Sequence, residues 1–255
     1  MSYQIEDKKI KKYHKDGYVI LNNFLKKEDV KIIRDELRKL IYDQAKKFNV
    51  LIDKQDSLEK NIKLIFLTNS SARKFIYNLV RNITSIKNIQ FSNKLIETLK
   101  LLGFKNPIGL NMPTIRFDIS LMSERKFLTL PHQDLRSIRS NKCASICIPI
   151  TKINEKIGTI KIWPKTFKGG LLKHSINNGQ LSITNKNLIQ RPFDLLSANP
   201  RDLIINNSFN IHSTHPGSRG SLRITAQFMM NDGMGIKDGD KYFELKKIPD
   251  FKDSY

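Results

Sequence analysis

Acidic residues are scarce in this 255-residue sequence: 24 Asp and Glu stand against 45 Lys and Arg, giving a formal net charge of +21. Such an excess suits an anionic partner, but the lysines are scattered, and no basic stripe interleaved with aromatics is visible. The charge therefore reads first as heavy use of Lys alongside Asn and Ile, and no specific nucleic-acid partner is expected. There are two cysteines, Cys143 and Cys147. Their separation, in a strand-like segment, is neither CxxC nor a zinc knuckle, and free thiols suit a reducing compartment. No run of 18 apolar residues occurs, and Met1 to Lys9 lack an apolar signal core, so the expectation is a soluble cytoplasmic protein without a membrane span. Trp163 is the only tryptophan and reads as core packing. Hydrophobic residues make up 39%, low for a globular chain, yet with 14 Phe they suffice for a core.

The pattern along the chain changes near Gly103. Before it, helical spacing dominates: Ile5–Lys15, Glu28–Phe48, Ser71–Ile83 opened by a capping serine, and Ser85–Leu102 stopped at Gly103. A short strand, Tyr18–Leu21, interrupts the helices. After Gly103 come β-rich stretches: Thr114–Leu121, Cys143–Ile150, Thr159–Trp163, Asp202–Asn206 and Leu222–Met230, separated by Gly- and Asn-rich turns. The reading is one α+β domain over residues 1–255. It comprises a helical annex (about 1–103), a β-barrel or jelly-roll core (about 108–231) and a tail (about 232–255).

His132-Gln133-Asp134 is the chemically richest motif. On an extended segment, side chains two residues apart project to one face. A second imidazole, His212, arriving from a distant strand would complete two histidines and one carboxylate around a metal. That set favours non-haem Fe(II) and leaves coordination positions open. Arg223 follows His212 by eleven residues and can supply a planar cationic fork for a dicarboxylate. Its strand has two faces: Leu222, Ile224, Ala226 and Phe228 on one, Ser221, Arg223, Thr225 and Gln227 on the other. The polar row facing solvent would be unremarkable; facing the interior, it would require a bound partner. Arg116, Asp118 and Ser120 alternate in the same way, and a salt-bridged edge strand is an equally good reading of them.

Together these segments resemble the phytanoyl-CoA dioxygenase family of Fe(II)/2-oxoglutarate-dependent oxygenases. The likeness runs in order through Tyr13-His-Lys-Asp-Gly-Tyr-Val-Ile-Leu-Asn-Asn-Phe-Leu25, His132-Gln-Asp134, Gly158-Thr-Ile-Lys-Ile-Trp-Pro164, Lys168-Gly-Gly-Leu171 with His174, Arg201-Asp-Leu-Ile-Ile205, and His212-Ser-Thr-His-Pro-Gly217 with Arg223. The resemblance implies a double-stranded β-helix with Fe(II) on His132, Asp134 and His212, the last preferred to His215 by its spacing to Arg223. It implies that Arg223 pairs with the distal carboxylate of 2-oxoglutarate, with Thr214 and Ser120 as further co-substrate contacts. Two positions depart from the family pattern. Pro164-Lys-Thr-Phe167 replaces a Pro-Gly-Ser-His turn, and Arg201 stands where a glycine is common.

The expected activity is hydroxylation of an aliphatic C–H with O₂ and 2-oxoglutarate, because Asp134 holds the position that related halogenases leave free for chloride. Arg116, Gln227 and Arg136 are the candidate substrate contacts. Basic segments Leu135–Lys142 and 165–191 point to a small anionic substrate at the pocket mouth. Two other classes fit parts of the sequence: a nucleic-acid oxidase of the AlkB type, supported by charge alone, and a non-catalytic β-barrel, against which the triad weighs.

Overall fold

The computed structural model describes residues 5–109, 112–135, 137–177 and 179–235. Six helices occupy the N-terminal part: α1 Asp7–Asp16, α2 Lys27–Lys47, α3 Leu58–Thr68, α4 Ser70–Leu79, α5 Thr84–Gln90 and α6 Asn93–Leu101. In α2 the buried residues Val30, Ile33, Leu37, Ile41 and Ala45 recur at three or four, so the helix presents one apolar stripe. The helix expected over 85–102 is broken at Phe91–Ser92, where the Ser92 hydroxyl accepts from the Leu95 amide and starts α6. The serine cap expected at Ser71 belongs instead to Asn69, whose side-chain oxygen accepts from the Ala72 amide. Helix α3 was not anticipated.

Among the described residues there are also eleven strands and a one-turn helix, α7 Lys186–Ile189. The strands are β1 Tyr18–Leu21, β2 Pro107–Gly109, β3 Thr114–Ile119, β4 Cys143–Pro149, β5 Gly158–Trp163, β6 His174–Asn177, β7 Gln180–Ile183, β8 Asp194–Leu195, β9 Leu203–Asn207, β10 Ile211–Pro216 and β11 Leu222–Asp232. The larger sheet runs β1-β9-β4-β11-β2, with β3 also paired to β11. The smaller runs β10-β5-β8, and β6-β7 form a separate hairpin. The fold is thus mixed α+β, with N-terminal helices ahead of antiparallel sheets.

Period-two alternation divides the larger sheet into two faces. Leu222, Ile224, Ala226, Phe228 and Met230 join Ile115, Phe117, Ile146, Ile148 and the helices in the main apolar cluster. On the other face, Tyr18, Cys147 and Ile204 pack with Ile160, Ile162 and Leu196 of the smaller sheet's side. The two sheets therefore face each other across an interior into which the alternate residues of β3, β4, β9 and β11 point.

Both departures from the family pattern fall at positions of positive φ. Lys165 has φ 66° and Arg201 φ 95°. This is the left-handed region where a Cβ is penalised and glycine is favoured. Lys165 sits there because its amide donates to the Asp16 carbonyl at 2.9 Å; Arg201 accepts the Leu25 amide at 2.8 Å. Both tie the β core to the N-terminal segment.

Candidate metal centre

His132 stands just outside the regular strands, yet it exchanges backbone hydrogen bonds with His212 of β10, N–H to O at 3.0 Å in each direction. That bridge brings the two rings to 4.4 Å between centroids. Asp134, two residues on, projects to the same side. Its Oδ1 lies 3.9 Å from His132 Nε2 and 3.5 Å from His212 Nε2. One ligand atom from each residue fits within a 4.8 Å group, and His215 is outside it.

The outer nitrogens fix the tautomers. His132 Nδ1 meets the Leu130 carbonyl at 2.7 Å and His212 Nδ1 meets the Asn210 carbonyl at 3.1 Å. A carbonyl only accepts, so both Nδ1 atoms carry a proton and Nε2 is the nitrogen each ring turns toward a metal. Burial, then the neighbouring His212, pushes the His132 ring down to about 4. At His212 burial acts the same way, but the Asp134 carboxylate outweighs it and raises the ring. Burial opposes ionisation of Asp134, and the two imidazoles overcome it, leaving its carboxyl below the usual range. Asp134 Oδ2 is buried without a hydrogen-bond partner. An orphaned carboxylate oxygen beside two imidazole Nε2 atoms is what a divalent cation would satisfy, displacing the proton that Asp134 favours on His212, so the donor set fits the expected iron.

The centre lies in a wall shared by two cavities. An inner cavity of about 120 Å³ is bounded by His132, Asp134 and His212 at one end, with Thr214, Arg223 and Gln227 among its other walls. An outer cavity of about 570 Å³ opens on the other side, lined by Arg116, Lys126, Phe127, Gln180 and Leu181 among others. Arg116 and Thr129 line both. The polar row of β11 faces the interior: Arg223 is 1% exposed and Thr225 0%. Arg223 Nε and Nη2 donate to Asp118 Oδ2 at 3.1 and 2.6 Å, and Nη2 also reaches Thr214 Oγ1 at 3.4 Å. Thr214 Oγ1 lies 2.8 Å from Thr129 Oγ1.

Of the residues singled out in the sequence, His132, Asp134, His212, Arg223, Thr214, Arg116 and Gln227 converge here. Gln227 lies on the inner cavity, not the outer one. Ser120 does not line either cavity: β3 ends at Ile119, and the Ser120 hydroxyl accepts from the Gly217 amide at 2.8 Å. Arg136 lies outside the described residues. In the basic segment around it, Lys142 Nζ donates to the Gly103 carbonyl and Arg139 Nη1 to its neighbour Ile138, so both engage backbone rather than the cavity. Trp163 is buried and donates to the Ile189 carbonyl at 3.1 Å, and both cysteines are free and buried, as expected. Cys147 also lines the inner cavity.

Three roles were not read from the sequence, although Asp118 was singled out with Arg116, with which it does form an ion pair at 2.9 Å. Asp118 is the carboxylate that binds Arg223. Lys126 lines the outer cavity from the turn after β3. Gln133 is fully buried; its amide nitrogen donates to the Gly170 and Phe209 carbonyls at 2.8 and 2.7 Å, and its oxygen accepts from Leu172 N at 2.9 Å.

No family model matches the sequence, and no curated protein matches it. Solved structures do match over nearly the whole chain. The non-heme α-ketoglutarate-dependent epimerase SnoN from nogalamycin biosynthesis, in complex with Fe3+, α-ketoglutarate and nogalamycin RO, is 12% identical with a TM-score of 0.61, covering 96% of this chain and 91% of its own. AviO1 from Streptomyces viridochromogenes is 11% identical with a TM-score of 0.61, covering 93% and 99%. EctD from S. alaskensis with 2-oxoglutarate and 5-hydroxyectoine is 11% identical with a TM-score of 0.64, covering 91% and 78%. The chain shares the fold of these proteins. Among the described residues no helix is long and apolar enough to cross a membrane.

Proposed function

We propose that the protein is an Fe(II)/2-oxoglutarate-dependent oxygenase of the phytanoyl-CoA dioxygenase type, its two facing sheets forming a double-stranded β-helix. The observation that carries this reading is the position of the His132–Asp134–His212 cluster, in the wall between an inner cavity holding a buried arginine and a wider outer one. The metal would be held by His132 Nε2, Asp134 and His212 Nε2. When bound, iron with 2-oxoglutarate and O₂ supplies the oxidant for an aliphatic C–H.

The chain's own residues do the rest. Arg223 gives the distal carboxylate of 2-oxoglutarate a buried cationic partner, and Thr214 and Gln227 line the same space. The inner cavity is of a size for that small diacid, while the outer one lies in the range of small-molecule sites. Arg116 and Lys126 in the outer cavity favour a small anionic substrate, and Phe127 and Leu181 give it apolar contact. Hydroxylation is the outcome we assign; the likeness to an epimerase makes the product the quantity to measure.

Anaerobic addition of Fe(II) and then 2-oxoglutarate should produce the visible charge-transfer absorption of a 2-oxo acid chelated to Fe(II). Admission of O₂ should release succinate, and a coupled substrate should gain one oxygen by mass. Absence of both the absorption and succinate would overturn the reading. Succinate with a coupled product of unchanged mass would replace hydroxylation by isomerisation.

A further inference from the structure

Asp118 is buried between two arginines. Its Oδ2 takes both bonds from Arg223, and its Oδ1 takes Arg116 Nη2 at 2.9 Å. Burial alone would raise this carboxyl, but Arg116 and then Arg223 bring it down to about 2, so it is ionised at neutral pH. Two cations and one anion leave a single net positive charge at this end of the inner cavity.

The group is poorly explained as a tie between strands. β3 and β11 are already in register from Thr114↔Gln227 to Ile119↔Leu222, and the Ser120 amide extends the pairing to Ser221. A well-packed apolar pair would serve a tie at least as well as a buried ion pair. Asp118 is also directly opposite Arg223 in that register, on a short side chain, so it cannot swing away when a ligand arrives. Meanwhile Arg223 Nη1 and, two residues along the same face, Thr225 Oγ1 are buried without partners. Donor capacity for one more acceptor group remains.

We infer that Asp118 is a specificity-determining residue: by neutralising one of two arginines, the buried Arg223 and the partly buried Arg116, it leaves charge for a single carboxylate and disfavours compact dianions at that end of the inner cavity. The inference rests on the proposed 2-oxoglutarate reading of that cavity. Selection works through exclusion as much as attraction: a second negative charge would face a buried, fixed carboxylate with no cation left to balance it. Asp118→Asn keeps the shape and one acceptor for Arg223 but raises the net charge by one. Asp118→Asn with Arg116→Gln restores the original net charge.

The test is thermal unfolding, which needs no turnover. Ni(II)-loaded wild type should be stabilised by 2-oxoglutarate; if it is not, the co-substrate reading fails, independently of Asp118. Metal-free wild type should respond to inorganic phosphate no more than to chloride at equal ionic strength. Asp118→Asn should unfold at lower temperature without ligand and be raised specifically by phosphate. Loaded with Ni(II), it should bind 2-oxoglutarate roughly tenfold more tightly. The double variant should lose the phosphate response. An Asp118→Asn protein that binds 2-oxoglutarate no more tightly and ignores phosphate would overturn the proposal, as would a double variant that still responds to phosphate. Should Asp118→Asn fail to fold alone, recovery in the double variant or with phosphate supports the proposal. Failure of both variants under all conditions makes Asp118 a structural tie and overturns it.

Discussion

The Gln133 side chain, set between two of the residues proposed to hold the metal, donates to the Phe209 carbonyl at 2.7 Å, three residues ahead of the third. One amide thus joins the two chain segments that must meet for the centre to form. Its other bonds, to Gly170 and Leu172, and the donation from the Gln133 backbone N–H to His174 Nε2 at 3.0 Å fasten the loop before the β6-β7 hairpin to the same point.

Gln133→Leu should therefore loosen the centre without touching a ligand. The variant leaves the Gly170 and Phe209 carbonyls and the Leu172 amide without their partner, a loss of about 2–3 kcal/mol if they find no water. Supporting bonds of this kind commonly carry 10–100-fold in metal affinity. Chemical denaturation and an Fe(II) titration would read the two effects. Unchanged affinity in a destabilised protein would assign Gln133 to packing alone.

Asp134→Ala and His212→Ala should each abolish Fe(II) binding and turnover, whereas His215→Ala should retain iron. Equilibrium dialysis with metal analysis of the four proteins decides this. Iron lost in His215→Ala and kept in His212→Ala would reverse the assignment.

The centre was legible because its geometry is local on one side: a His-x-Asp pair needs only the period of an extended chain. The balance around Arg223 was not, because Asp118 lies 105 residues away and meets it only through the register of β3 on β11. Ser120 illustrates the same limit. Alternation places it with Arg116 and Asp118, but the strand stops one residue earlier and the hydroxyl turns to Gly217. Helix α3 did carry a signal, with Leu58, Ile62, Ile65 and Phe66 at helical spacing, but the buried Asn61 blurs the stripe. The Asn178-Gly179 pair between β6 and β7 was a hairpin signal left unread.

Arg223→Ala should raise the 2-oxoglutarate requirement by roughly 10–100-fold, and Arg223→Lys should fall between it and wild type, since a point charge cannot serve Asp118 and a ligand at once. Asp118 left without its buried partner should also reduce stability by about 3 kcal/mol in the alanine variant. Titration of 2-oxoglutarate into the metal-loaded proteins reads the first effect; equal affinities would remove Arg223 from the co-substrate site.

Lys165→Gly should stabilise the protein by about 1 kcal/mol. The residue is exposed at φ 66°, where a side chain costs about 1–2 kcal/mol, partly offset by the greater freedom of glycine when unfolded. Its amide bond to the Asp16 carbonyl is retained. Urea unfolding of the two proteins would check it; a loss of stability would mean that the lysine side chain itself holds the turn.

The excess of positive charge should act on the substrate at one residue more than as a field. Lys126 lines the outer cavity, whereas Lys142 and Arg139 are engaged with backbone carbonyls. For a coupled anionic substrate, Lys126→Gln should raise KM several-fold while leaving kcat, iron content and 2-oxoglutarate affinity unchanged. A positive group at a pocket mouth acts on encounter and binding rather than on chemistry. Arg139→Gln with Lys142→Gln, and the distant set Lys8→Gln, Lys11→Gln and Lys46→Gln, should have little effect. Added salt should raise KM in wild type and do so less in Lys126→Gln, because screening weakens the same attraction. Equal effects from all three sets would make the field diffuse, and no effect from any would mean that the substrate is uncharged.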